Sequence, residues 1–248
     1  MPKSRSRLTR RGIVLLAALP LLVALVVVVV ARQLGESDCT VEVGTRSVDL
    51  DQDQAERASL AVAKVVRASG SARSAAKAVT SSTGLVGPAA TVVGGALSGR
   101  DRGALFCRYG GGGSESDKLN VAGLTHRAAA VRTDMAKHFG SLPLGGFAPG
   151  GVNSGHMVGS AHYEGRAIDA FFRPITKANK QDGWALAQYL VANADRLALA
   201  TVIFDGQIWT ARRAGQGWRP YAVSHRNRST KTIKILEHRD HVHVDVAD

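Results

Sequence analysis

The chain has 248 residues, enough for one ordinary domain and a smaller one. Apolar residues make up 45% of it and aromatics only 5%, so Ala, Val and Gly must do much of the filling of a core. That composition excludes a long disordered body. The formal charge is +12, and five of the basic residues (Lys3, Arg5, Arg7, Arg10 and Arg11) lie in the first 31 positions, which contain no acid. The remaining excess is spread out and suits attraction to an anionic polymer such as a cell-wall glycan or teichoic acid. Nucleic acid is not indicated, because neither aromatic–basic interleaving nor a helix-turn-helix pattern is present.

After the basic residues 1–11, Gly12 to Ala31 is a run of 20 residues without a charge. As a helix it would be about 30 Å long, the thickness of a hydrocarbon core. The expectation is a transmembrane anchor over 12–31, with residues 1–11 cytoplasmic and the rest outside the cell membrane as a single-pass protein. Cleavage after Val29-Val30-Ala31 is the alternative, and it would make the protein secreted. Cys39 and Cys107 both follow this run. In an oxidising space they are expected to pair, the alternative being two buried free thiols.

Residues 39–109 read as a small Ala-rich helical unit. Cys39 to Val48 is short and β-branched, a strand or hairpin. A helix starts at Asp51, with Ala55, Leu60, Val62, Val65 and Val66 recurring along it, and ends at Gly70. A second covers Ala72 to Val79. Gly84, Gly87-Pro88 and Gly94-Gly95 are expected to break regular structure. Leu105-Phe106-Cys107 then brings the chain back to Cys39. Residues 110–119, with Gly110 to Gly113 followed by Ser and acid, read as a linker.

Residues 120–248 form the larger unit. Ala128, Val131, Met135 and Phe139 predict a helix over Thr125 to Phe139. Residues 140–160 hold seven glycines and two prolines and read as loop. Arg166 to Phe172 reads as a buried strand. Asp182 is expected to cap a helix carrying Trp184, Ala187, Val191, Ala194 and Leu197 on one face. Thr201–Phe204 and Gln207–Thr210 flank Asp205-Gly206, a hairpin signal. The last strand is Val242–Val246. The order predicts an α+β fold, a small and mainly antiparallel sheet with flanking helices, preceded by the transmembrane helix and the Ala-rich unit.

Two strings carry the chemistry: Ser160 to Asp169 (S-A-H-Y-E-G-R-A-I-D) and Asp240 to Asp245 (D-H-V-H-V-D). With no spare cysteine, imidazole and carboxylate are the donors left for a metal such as zinc. His162 sits in a loop leading into the strand that bears Asp169, Gly165 allows a tight turn between them, and Ala167 leaves space beside the site. In the last strand, alternation puts His241, His243 and Asp245 on one face and Val242, Val244 and Val246 on the other. His126, His138, His156, His225 and His238 are read as surface or satisfied core residues.

The S-x-H-x-x-G-x-A-x-D string resembles the zinc D-alanyl-D-alanine carboxypeptidases and dipeptidases, and D-H-x-H resembles the carboxypeptidase form of their second motif. The wider group includes lysostaphin-like endopeptidases and the hedgehog signalling domain. The resemblance covers about residues 120–248. It implies zinc held by His162, Asp169 and His243, with Asp240 as general base and His241 stabilising the oxyanion. It implies hydrolysis of an amide bond in the stem peptide of peptidoglycan, in a secreted or membrane-anchored cell-wall protein of actinobacterial type. Residues 39–107 resemble an Ala-rich helical unit of secreted proteins of high-G+C Gram-positive bacteria, with no function implied beyond a disulfide-stapled spacer. One departure stands out. Such enzymes carry an Arg in the loop before the first motif, whereas here Ala148 occupies the comparable place, with Arg166 or Arg173 as possible substitutes. That departure favours an endopeptidase, or a wall-binding domain without catalysis. A protein with a purely structural zinc is a third alternative.

Overall fold

In the computed structural model, which describes residues 38–248 apart from 102, 111, 112 and 115, the β-branched start of the chain is extended. Strands β1 (Cys39–Val43) and β2 (Arg46–Leu50) form a hairpin that turns at Gly44, where φ is +60°. Strand β3 (Gly103–Cys107) pairs with the other edge of β1. That register sets Cys39 opposite Cys107, and the two are joined by a disulfide.

Helix α1 (Gln52–Arg67) opens with a capping box in which the Asp51 carboxylate accepts from the Gln54 amide and the Gln54 side chain accepts from the Asp51 amide. Helix α2 (Ala72–Thr83) is capped by Ser71 and closed by Gly84 in the left-handed region. Helix α3 (Gly87–Leu97) begins at the expected Gly87-Pro88, where proline suits a first turn. It then runs straight through Gly94-Gly95, which does not break it. A Cβ on Gly94 would lie 2.9 Å from the Ala76 amide nitrogen of α2. The glycine there serves close helix packing, which a sequence pattern cannot tell from a break.

The second sheet has six strands in the order β4-β5-β9-β6-β7-β8, antiparallel throughout. They are β4 (Leu144–Gly145), β5 (Ala167–Phe171), β6 (Leu199–Phe204), β7 (Gln207–Thr210), β8 (Arg219–Pro220) and β9 (His241–Val246). Strand β9 therefore lies between β5 and β6. Helix α4 (His126–Phe139) buries Ala128, Val131, Met135 and Phe139 as the spacing predicted. Helix α5 (Lys177–Ala192) starts earlier than expected. Thr176 caps it by accepting from the Asn179 amide, and Asp182 lies inside it. Of residues 177–181 all but Ala178 are polar, so apolar periodicity reveals only the later turns. Helix α6 (Thr230–Leu236) is short and buries no residue, and it had no signature in the sequence. Residues 38–248 form one compact unit. A single apolar cluster joins Leu50, Val62, Leu97 and Leu105 with Leu190, Val202 and Trp209, and α1 packs on α5.

The α+β character holds, but the transmembrane part of the expected fold does not. Among the described residues no helix is long and apolar enough to cross a membrane. The longest, α1 and α5, have 16 residues each and carry charged or polar side chains along their length. The same finding overturns the single-pass membrane location. The 12–31 segment on which both expectations rested lies outside the described residues.

Candidate metal centre

Strands β5 and β9 set the frame. Their register puts Asp169 opposite His243, with Phe171 opposite His241 and Ala167 opposite Asp245. On the other face Ile168, Ala170, Val242 and Val244 are buried in the core, as alternation predicted for the two valines of β9. The first motif arrives from the side. Residues Ala161–Glu164 form a single 3-10 turn, begun by Ser160, whose hydroxyl accepts from the His162 amide, and ended by Gly165 at φ +67°. A Cβ on Gly165 would lie 2.6 Å from the Gly123 carbonyl oxygen.

The structure brings the three expected ligands together. His162 Nε2 is 3.1 Å from His243 Nδ1 and 3.3 Å from Asp169 Oδ1, and His243 Nδ1 is 3.1 Å from Asp169 Oδ1. Donors about 2.0–2.1 Å from one tetrahedral ion lie roughly 3.3 Å apart, so the triangle fits a single zinc-sized ion. The outer nitrogens are also engaged. His162 Nδ1 meets the Gly146 carbonyl at 2.8 Å, and His243 Nε2 meets Asp245 Oδ2 at 3.3 Å. Such contacts fix the tautomer and turn the remaining lone pair inward. All three side chains are buried.

His241 and Asp240 stand beside this triangle. His241 Nδ1 meets Asp240 Oδ1 at 2.8 Å, and its Nε2 points inward, 3.9 Å from Asp169 Oδ1. The other Asp240 oxygen accepts from Arg173 Nε at 2.6 Å, and the Arg173 guanidinium lies 4.1 Å above the Phe171 ring. Of the two arginines considered as replacements for the one missing at Ala148, Arg173 thus adjoins the site. Arg166 is tied to the Val246 carbonyl and to Glu164.

Two histidines read as uninvolved belong to the cluster. His156 stacks on His162 with ring centroids 3.9 Å apart. His156, His162 and Asp169 form a group that could hold a metal ion, their donor atoms lying within 4.8 Å of one another. The His238 ring is 4.5 Å from that of His241 and 5.6 Å from that of His243, and its Nδ1 donates to the Leu236 carbonyl at 2.9 Å. Neither had a spacing signal. His156 comes from the glycine-rich loop and His238 from a left-handed turn at φ +53°. Asp245 was on the expected face but had been given no role.

Electrostatics match a cation site. Burial pushes the Asp169 carboxyl up, but hydrogen bonds from His162 and His243 more than reverse this, leaving it well below the usual carboxylate range. Burial pushes His243 down, and the carboxylates of Asp169 and Asp245 outweigh it, raising the group to about 9. Asp240 is likewise lowered, its burial outweighed by hydrogen bonds from His241 and Arg173. His238 is pushed down to about 3 by burial and by the neighbouring His241 and His243.

What fold and site define is an α+β unit with a His/Asp cluster that could hold a metal ion on one face of its larger sheet. The family model described as the VldE C-terminal domain matches residues 120–233, which include His156, His162, Asp169 and Arg173 and stop short of Asp240 to His243. No curated protein and no solved structure matches the chain.

Proposed function

We propose that the protein is an extracytoplasmic, zinc-dependent peptidase that hydrolyses amide bonds in peptidoglycan stem peptides. The observation that carries this reading is the convergence of His162 Nε2, Asp169 Oδ1 and His243 Nδ1 at 3.1–3.3 Å, with His241 Nε2 facing the same point. When bound, zinc supplies Lewis acidity that polarises a carbonyl and acidifies water. The Gly146 carbonyl and Asp245 orient the two ligand imidazoles. Asp240 holds the Nδ1 proton of His241, so Nε2 is the basic atom on the reacting side. That nitrogen takes a proton from the attacking water and returns it to the leaving amine. Asp240 and His241 thus work as one acid–base pair, where the motif alone gave the base to Asp240 and the oxyanion to His241. The Cys39–Cys107 disulfide supports an oxidising compartment.

A second reading is a peptidoglycan-binding domain without catalysis, and Ala148 in place of the loop Arg favours it. Metal analysis of the purified protein, together with mass spectrometry of digested peptidoglycan, separates the two. The peptidase reading expects about one zinc per chain and muropeptide products that vanish in His162→Ala and Asp240→Ala. Product formation at the full rate in Asp240→Ala would refute the acid–base pair. Zinc binding with no product from any peptidoglycan would leave the binding domain.

A further inference from the structure

Next to the ligand cluster, the segment after β5 and helix α6 enclose an open cleft of about 540 Å³ that reaches Asp240. One wall carries Arg173, Pro174 and Ile175, and the other carries Lys231, Lys234 and Ile235. Lys231 and Lys234 are three residues apart, so they share a face of α6, and both are exposed. Among the described residues Asp240 is the only acid lining the cleft, and its oxygens are already engaged by His241 and Arg173. Glu237, at the end of α6, is paired with His225 and Arg239. Among the described residues, neither Asp240 nor Glu237 therefore compensates the two ammonium groups. Ile175 and Ile235, each 40% exposed, add apolar surface between the cations.

We infer that this cleft binds a carboxylate of the substrate, together with a small aliphatic group beside it, next to the amide to be cleaved. Cations set around exposed isoleucines suit a peptide carboxylate flanked by alkyl side chains better than a uniformly polar polyanion. Identification of the ligand as a peptide rests on the peptidase reading; the charge of the cleft does not.

The test titrates the full chain, as purified and again with a chelator, against a purified muropeptide with free carboxylates and against the same muropeptide with its carboxylates converted to amides. The free form is expected to bind about tenfold more tightly. The double variant Lys231→Gln, Lys234→Gln should lose about fivefold to tenfold for the free form and nothing for the amidated one. Its thermal unfolding should match the parent, since both lysines are exposed. Equal binding of the two muropeptides by the parent, or unchanged binding by the double variant, would overturn the inference. So would competition by polyglycerol phosphate as strong as that of the free muropeptide, because the cleft would then be a general anion patch. A persisting carboxylate preference with no hydrolysis in zinc-loaded protein would sink the peptidase reading alone.

Discussion

Gly146→Ala should damage metal binding through a single methyl group. The loop before the first motif presses its backbone against His162: a Cβ on Gly146 would lie 2.2 Å from His162 Cε1, 2.5 Å from Nδ1 and 3.2 Å from Asp169 Oδ2. Ordinary contact begins near 3.4 Å, so the imidazole must retreat by about 1 Å or the loop must lift. Either movement breaks the 2.8 Å contact between His162 Nδ1 and the Gly146 carbonyl. Losing such an outer contact weakens metal affinity about 10–100-fold. The backbone adds a second cost. Gly146 has φ +82°, which costs an alanine roughly 1–2 kcal/mol. Gly150→Ala separates the two effects, because Gly150 has φ +79° and nothing within 4 Å of its Cβ position. Competition for zinc with a chelating dye should show weakening in Gly146→Ala and near-parental affinity in Gly150→Ala, while both unfold at lower temperature. Equal zinc affinity in the two variants would refute the reasoning.

Three further outcomes are expected. Asp245→Ala removes the partner of His243 Nε2 and should weaken zinc binding about 10–100-fold in the same dye competition, with unchanged affinity counting against an orienting role. Replacing both Cys39 and Cys107 by Ser opens a loop with a sequence separation of 68, and denaturant unfolding should report a loss of about 4 kcal/mol. Asp134 accepts from Tyr189 Oη at 2.7 Å and from Arg196 Nη1 at 2.9 Å. Burial raises its carboxyl, but those hydrogen bonds and the nearby Arg196 and His138 charges leave it below its ordinary value. A lowered folded value means stability that is complete above the unfolded carboxylate range, near pH 4, and lost as pH falls through the lower folded value. Asp134→Asn should therefore cost about 1 kcal/mol at pH 7, with half-exposed Arg196 limiting the effect, and should flatten the acid limb of a stability–pH curve. An acid limb as steep as the parent's would show that other carboxylates carry it.

The convergence of His162, Asp169 and His243 was legible through the resemblance of the two motifs, and the strand alternation and the turn chemistry agree with it. His243 sits on an alternating strand, Asp169 on a buried one, and His162 three residues before a turn-forming Gly165. His156 and His238 were not legible, since they reach the cluster from irregular backbone and are placed by its path alone. Arg173 was noticed as a spare cation, yet its pairing with Asp240 depends on where the chain leaves β5. In the fold, most helices and the Asp205-Gly206 hairpin followed from caps and periodicity. Gly94-Gly95 misled because glycine marks close approach as well as breakage. Thr176 was overlooked because the first turn of α5 has no apolar face to betray it.

The strand order has a consequence for synthesis. Strand β9 follows β4 to β8 along the chain, yet it lies between β5 and β6. Until residues 241–246 leave the ribosome, the earlier strands stand as two separate ribbons, β4-β5 on one side and β6-β7-β8 on the other. Asp169 on the first ribbon and His162 on the turn before it have no His243 to meet. Insertion of β9 joins the ribbons through long-range pairing, which makes this a late step of folding. The same event that closes the sheet brings His243 to Asp169, so a nascent chain gathers His162, Asp169 and His243 only once its larger sheet is continuous.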